Sequence, residues 1–220
     1  AIKDPTAVSL RRQAGANVLI VGQADEAAMS LMVSILVSLA GQLPPREAQF
    51  RILDGSPADS PLAQVMPFVR TVLPHDVQLV DYRAAAEGID ELAKLLAARQ
   101  GGEHGPAIFV LIYGLQRYRV LRKQEESFGF SSGDEEKKPE PDKQLADLIR
   151  EGPALGIHII AWCDTPAAVE RTFDRAAMRE FDHRILFQMS ATDSSNLIDS
   201  PLANKLGFHR ALAYSEEQGL

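Results

Sequence analysis

LIREGPALGIHIIAWCDTP, residues 148–166, reads as the end of a helix, a glycine turn, an apolar strand and the start of another helix. The run 157–163 is continuously apolar apart from His158. A strand with no polar alternation has no face to give to water, so it belongs inside a sheet covered on both sides. Working outward, similar runs stand at 17–21, 49–53, 77–80, 107–112, 183–189 and 211–214. Between them lie helix-length segments at 25–40, 84–100, 115–123, 143–151, 167–180 and 194–197. Strand and helix alternate, which predicts an α/β fold: a mainly parallel sheet with helices on both faces. The segment 84–100 carries Ile89, Leu92, Leu95 and Leu96 on one stripe, as a helix lying on a sheet requires.

With 220 residues, 45% of them hydrophobic, the chain is long enough for one substantial core, and a single domain over 1–220 is expected. No run reaches the roughly eighteen apolar residues of a membrane span, so no membrane contact is expected of this domain. The single cysteine, Cys163, excludes an internal disulfide and fits a reducing, cytoplasmic setting. The chain opens on Ala1 and closes on Leu220, and is expected to be one module of a longer polypeptide, with membrane association of the full-length protein left open. A net charge of −7 argues against an extended nucleic-acid surface. The local basic stripe Arg117, Arg119, Arg122 and Lys123 reads first as a solvated helix face.

Residues 124–142 (QEESFGFSSGDEEKKPEPD) differ from the rest. Charged and almost free of aliphatics, they cannot bury enough apolar surface to offset their ordering entropy. A mobile insertion is expected, with Phe128 and Phe130 as its only large apolar side chains, able to dock on the domain or a partner.

The opening stretch 148–166 resembles the FtsK/SpoIIIE family of RecA-like motor ATPases, where a helix ends in Gly-Arg-Ala-x-Gly-Ile-His before a strand and Ala-Thr-Gln-Arg-Pro. HRILFQMSATDSSNLIDSP, 183–201, is similar to that family's Arg-Ile-x-Phe-x-Val-Ser strand and its Ser/Asp-rich turn. RILDGSP, 51–57, falls where the family has a strand ending in Asp-Pro-Lys, and VLIVGQADEAAMSLM, 18–32, where it has its phosphate loop. The resemblance implies a RecA-like P-loop fold, and an ancestry of ATP and magnesium chemistry.

The residues at the implied site do not supply that chemistry. A phosphate loop needs Gly-x-x-x-x-Gly-Lys-Ser/Thr: backbone N–H groups to wrap phosphate, a lysine to neutralise it and a hydroxyl for magnesium. Counting from Gly22, through Gln23, Ala24, Asp25 and Glu26, the last three positions are Ala27, Ala28 and Met29. Asp25 and Glu26 are expected at a helix N-terminus, capping its N–H groups and meeting the positive end of its dipole where phosphate would sit. Ser30, one residue late, is the alternative source of a magnesium ligand. The acidic pair that should end strand 107–112 is replaced by Tyr113 and Gly114, neither a useful ligand nor a base. The family's Gln-Arg becomes Asp164-Thr165, and the arginine of its Gly-Arg turn becomes Pro153. Asp164 has two readings, a cap on the following helix or a relocated general base or metal ligand, and the cap is the commoner.

Four stations have changed while the apolar scaffold is intact, which points to a domain retained for its shape. The resemblance therefore implies a catalytically degenerate module, similar to degenerate modules of EccC-type multi-ATPase proteins. No catalytic residue, no metal and no cofactor are expected, and the role is structural, regulatory or partner-docking. Its partners would be neighbouring ATPase modules, or a peptide or protein. Two alternatives stay open: ATP held by loop backbone without hydrolysis, and a DNA-translocase module. Arg184 and Arg210 are the candidates to reach a neighbouring subunit, with a surface ion pair as the ordinary reading. Asp54 is expected to organise the turn at 55–57, His158 to serve structure at a strand start, and Cys163 to be buried and inert.

Overall fold

The computed structural model describes residues 7–124 and 140–216. Seven strands form one sheet in the order β3-β2-β4-β5-β1-β6-β7. They are β1 (Val18–Val21), β2 (Ala48–Asp54), β3 (Asp76–Val80), β4 (Ala107–Tyr113), β5 (Ile157–Cys163), β6 (His183–Leu186) and β7 (Leu212–Ser215). All pairings are parallel except that of β6 with the edge strand β7. Parallel neighbours need crossovers, and the helices that provide them cover both faces.

Alternate residues of each strand feed two cores. One holds Val18, Ile20, Phe50, Ile52, Phe109, Leu111, Tyr113, Ile160 and Trp162 beneath α1 (Asp25–Gln42) and α2 (Val65–Val72). The other holds Leu19, Val21, Val110, Ile112, Ile159, Ala161 and Cys163. Over it lie α3 (Ala85–Gln100), α4 (Pro141–Glu151), α5 (Pro166–Thr172), α6 (Arg175–Arg179) and α7 (Ala191–Ile198). The stripe Ile89, Leu92 and Leu96 on α3 is buried as expected, with Leu95 partly exposed at its margin. No helix among the described residues is long and apolar enough to cross a membrane.

Three expectations need correction. Residues 115–123 form no α-helix: Gly114 turns left-handed at φ 75°, and two 3-10 turns (Leu115–Arg117 and Arg119–Leu121) follow, broken at Tyr118, whose ψ of 87° lies outside the helical region. Residues 167–180 are two helices, because buried Phe173 packs on Phe181 and Asp174 starts afresh, its carboxylate accepting from Ala177 N–H at 2.7 Å. The strand at 183 stops at Leu186. The sequence reading also passed over the 3-10 turn Pro61–Gln64 and α2, short elements hidden among prolines.

Of the segment 124–142, residues 125–139, with Phe128 and Phe130, lie outside the described residues. Its C-terminal end is helical, since α4 starts at Pro141. Its two ends are joined, Gln124 N–H donating to the Asp142 carboxylate at 3.1 Å.

Two polar side chains inside the sheet's lower end tie β1 to β5. Asn17 donates to the carbonyls of Ile149 and Glu180 and accepts from Ile159 N–H. His158 Nδ1–H donates to the Ala16 carbonyl at 2.8 Å, and its ring stacks on Phe109. Burial is the main reason that its pKa lies below the usual 6.5, with the charges of Arg12 and Arg99 adding to it. A histidine held neutral in the fold but free to charge when unfolded costs stability only as pH falls. Stability should therefore be full above about 6.5 and decline below it until the lowered native pKa is reached. Urea midpoints across pH 5 to 8 should fall more steeply on the acid side in wild type than in His158→Gln; parallel profiles would remove His158 as the cause.

Candidate nucleotide site

The C-terminal ends of β1, β2, β4 and β5 converge where a parallel α/β sheet presents its functional loops. β1 runs into Gly22, Gln23 and Ala24, and α1 begins at Asp25. Gly22 has φ +134°, and a Cβ there would stand 2.7 Å from Phe187 Cβ. That glycine is therefore required by the backbone and by packing, whatever the loop binds.

Tyr113 and Trp162 end adjacent strands on the same face, and their rings stack with centroids 4.5 Å apart. Both are fully buried, and both point their polar atoms at the loop. Trp162 Nε1–H donates to the Gly22 carbonyl at 3.1 Å, and Tyr113 Oη–H to the Asp25 carbonyl at 3.1 Å. Burial, reinforced by the Asp25 charge, raises the Tyr113 phenol above its ordinary pKa of 10, so it remains a neutral donor. Gly22 N–H bonds to the Cys163 carbonyl, and Ala24 N–H to the Gly22 carbonyl.

The expected capping by Asp25 and Glu26 is not present. They occupy the first turn of α1, but no side chain caps it. Asp25 pairs instead with Arg117 at 3.4 Å, an exposed contact that adds little stability. Arg117 donates mainly to the Gly55 carbonyl at 2.5 Å, bridging the ends of β2 and β4. Arg122 likewise donates to the Gln116 carbonyl. Half of the basic stripe is thus internal bracing. Ala28 and Met29 are buried, while Ala27 is half-buried. Ser30 is exposed and lines a groove with Glu26, Met29, Val33, Leu62 and Val65.

Asp164 is not the cap of α5. Thr165 is: its hydroxyl oxygen accepts from Ala168 N–H at 3.3 Å while donating to the Asp164 carboxylate at 3.1 Å. Asp54 does organise its turn, accepting from Ser56 N–H at 2.9 Å. Cys163 is buried, and burial pushes its thiol up to about 12, which makes it inert as a nucleophile. Arg184 faces inward: it donates to the carbonyls of Phe181, Leu197 and Met178 and pairs with Glu216, lying also over the Tyr214 ring. Arg210 is exposed. Among the described residues no cluster of three His, Cys, Asp or Glu could hold a metal.

Sequence reasoning placed Tyr113 at the site but missed Trp162 and Arg117. The signal available for Trp162 was register: Ile112 pairs with Ala161, so the next residue on each strand shares a face.

No family model matches the chain, and no curated protein matches it. Solved structures do. EssC (ATPases 2 and 3) from Geobacillus thermodenitrificans superposes with a TM-score of 0.63 and 19% identity, over 91% of this chain and 37% of that one. Thermomonospora curvata EccC (ATPases 2 and 3), in complex with a signal sequence peptide, gives 0.63 and 16%, over 94% and 37%. The pCW3 conjugation coupling protein TcpA, with ATPγS, gives 0.64 and 16%, over 93% and 58%. The chain thus spans little more than a third of the first two. Its seven-stranded, mostly parallel sheet with helices on both faces is the RecA-like P-loop ATPase fold that the ATPase domains of EssC and EccC and the coupling protein TcpA share.

Proposed function

We propose that this chain is a catalytically degenerate FtsK/SpoIIIE-type module that serves a larger motor by its shape, docking a neighbouring ATPase module or a peptide or protein partner. The observation that carries the reading is the stacked Tyr113–Trp162 pair hydrogen-bonded to the loop carbonyls of Asp25 and Gly22. Tyr113 stands at the strand end where an ATPase of this type places its carboxylates, and with Trp162 of the neighbouring strand it fastens the loop by its carbonyls. ATP and magnesium do not fit this donor set: position 28 offers a buried alanine, position 29 a buried methionine, and β4 ends without an acid. The proposed setting is cytoplasmic, in keeping with the buried thiol of Cys163.

A second reading, nucleotide held by backbone alone, draws on the uncapped first turn of α1, whose N–H groups favour anions. Calorimetry with ATP and magnesium separates the two. No heat of binding is expected at millimolar nucleotide, and micromolar affinity would overturn the first reading. Ala28→Lys alone should give no turnover, because β4 still lacks a base; measurable ATPase activity from that single change would refute this account of the site. A DNA-binding role is weakened by the net charge of −7 and by the internal use of Arg117 and Arg122.

A further inference from the structure

α1 is unusual for a surface helix. From Ala27 to Pro45 the chain carries no charged residue, although α1 exposes Ser30, Ser34, Val37 and Ser38. Beside it, α2 leaves Phe68 65% exposed and Val72 58% exposed. Between them runs the groove of about 440 Å³ lined by Glu26, Met29, Ser30, Val33, Leu62 and Val65. Its walls are mostly apolar, and its nearby carboxylates are Glu26, which lines it, and Asp59, which stands just before the turn that carries Leu62; Asp25 is turned to Arg117.

Among the described residues the most exposed large apolar side chain lies elsewhere. Phe208 is 94% exposed, on the loop that leads into β7, and nothing would crowd a Cβ at its neighbour Gly207. Its flanks are basic: Lys205, His209 and Arg210 are all exposed. His209 holds φ 57°, a left-handed conformation that costs a non-glycine residue free energy and fixes the loop's turn. An aromatic knob with cations around it and an apolar groove with carboxylates around it are complementary in shape and in charge. The knob precedes β7 and the groove's far wall precedes β3, the two opposite edges of the sheet. One chain therefore presents them in different directions.

We propose that Phe208 of one copy seats in the α1–α2 groove of a second copy, with Lys205 and Arg210 meeting Glu26 and Asp59 at the rim. The two surfaces differ, so the contact is head-to-tail and can repeat. It places a neighbour's basic loop against the first turns of α1, beside the site described above. The inference rests on the docking role proposed for the module, and not on the loss of nucleotide chemistry, which the calorimetry tests separately.

Single-cysteine chemistry tests it cleanly, because Cys163 is buried and unreactive. Ser30→Cys and Gly207→Cys variants, differently tagged and both keeping Phe208, are mixed and treated with a short bismaleimide; position 207 has open space for a side chain. The mixed dimer should exceed both homodimers, and the Ser38→Cys plus Gly207→Cys pair, several-fold. In the same assay Arg210→Glu in the Gly207→Cys copy should cut the mixed product about tenfold, and Glu26→Lys in its partner should restore much of it. A mixed yield no greater than the control pair overturns the proposal. So does a dominant Ser30→Cys homodimer, which would mean that two α1 faces meet back to back. Sedimentation of wild type should show association with rising concentration that Phe208→Asp abolishes; unchanged association in that variant would also overturn it.

Discussion

Trp162→Ala should cost about 3–5 kcal/mol of folding stability, the range for deleting a large buried aromatic side chain. Trp162 is wholly buried, supports the Tyr113 ring 4.5 Å away and holds the Gly22 carbonyl. Removing it leaves a void under the β1–α1 loop and takes from the Gly22 carbonyl one of its two donors, Ala24 N–H being the other. Two milder variants divide the effect. Trp162→Phe keeps a ring and loses the N–H, and Tyr113→Phe loses only the bond to Asp25; each should cost about 1 kcal/mol. Trp162 is the chain's single tryptophan, so denaturation of its variants must be followed by circular dichroism. A loss below about 1 kcal/mol in Trp162→Ala would mean that the loop is held by something other than this pair.

Asn17→Leu should be as damaging, through hydrogen bonds and not volume. One buried amide serves three backbone groups: the carbonyls of Ile149 and Glu180, at 2.9 and 2.8 Å, and the N–H of Ile159 at 2.8 Å. Asn17 stands one residue before β1, so its side chain extends the β1–β5 ladder by a rung and ties in the last turn of α4. A leucine fills similar space and leaves all three groups buried without partners, each costing about 1–3 kcal/mol and not fully additive, so about 4 kcal/mol in total is expected. Asn17→Asp, which keeps the acceptor and loses both donors, should also fail badly, because a carboxylate would then face two carbonyl oxygens. Equal urea midpoints for wild type and Asn17→Leu would show that these groups find other partners.

The seven strands were legible because their signal is local: continuous apolar runs between punctuation, with β5 recovered over 157–163 as read. Helix α1 was legible for the same reason. What escaped were elements set by distant contacts. The 3-10 turns at 115–121 exist because Tyr118 and Leu121 are buried under α3 and α4, not because of helical periodicity. At the site, position could be counted along the chain, and so Tyr113 was found. Partnership could not: Asp25 was expected to cap its own helix and instead meets Arg117, ninety-two residues away. Arg184, offered as a reach outward, closes on three carbonyls of its own chain. Long flexible side chains are decided by the acceptors that folding brings near, and a linear pattern does not hold that information.

The joined ends of the 124–142 segment carry an implication for how such a module can diversify. With Gln124 already bonded to Asp142, the closure that the fold needs is made at the base. Doubling the intervening length then adds only about 0.6 kcal/mol of closure entropy. Neither flanking element has to change register for the segment to lengthen, shorten or swap its charges. This is a place where descent can tinker with address and affinity while the sheet stays as it is, and where an engineer can splice in a reporter for the same reason.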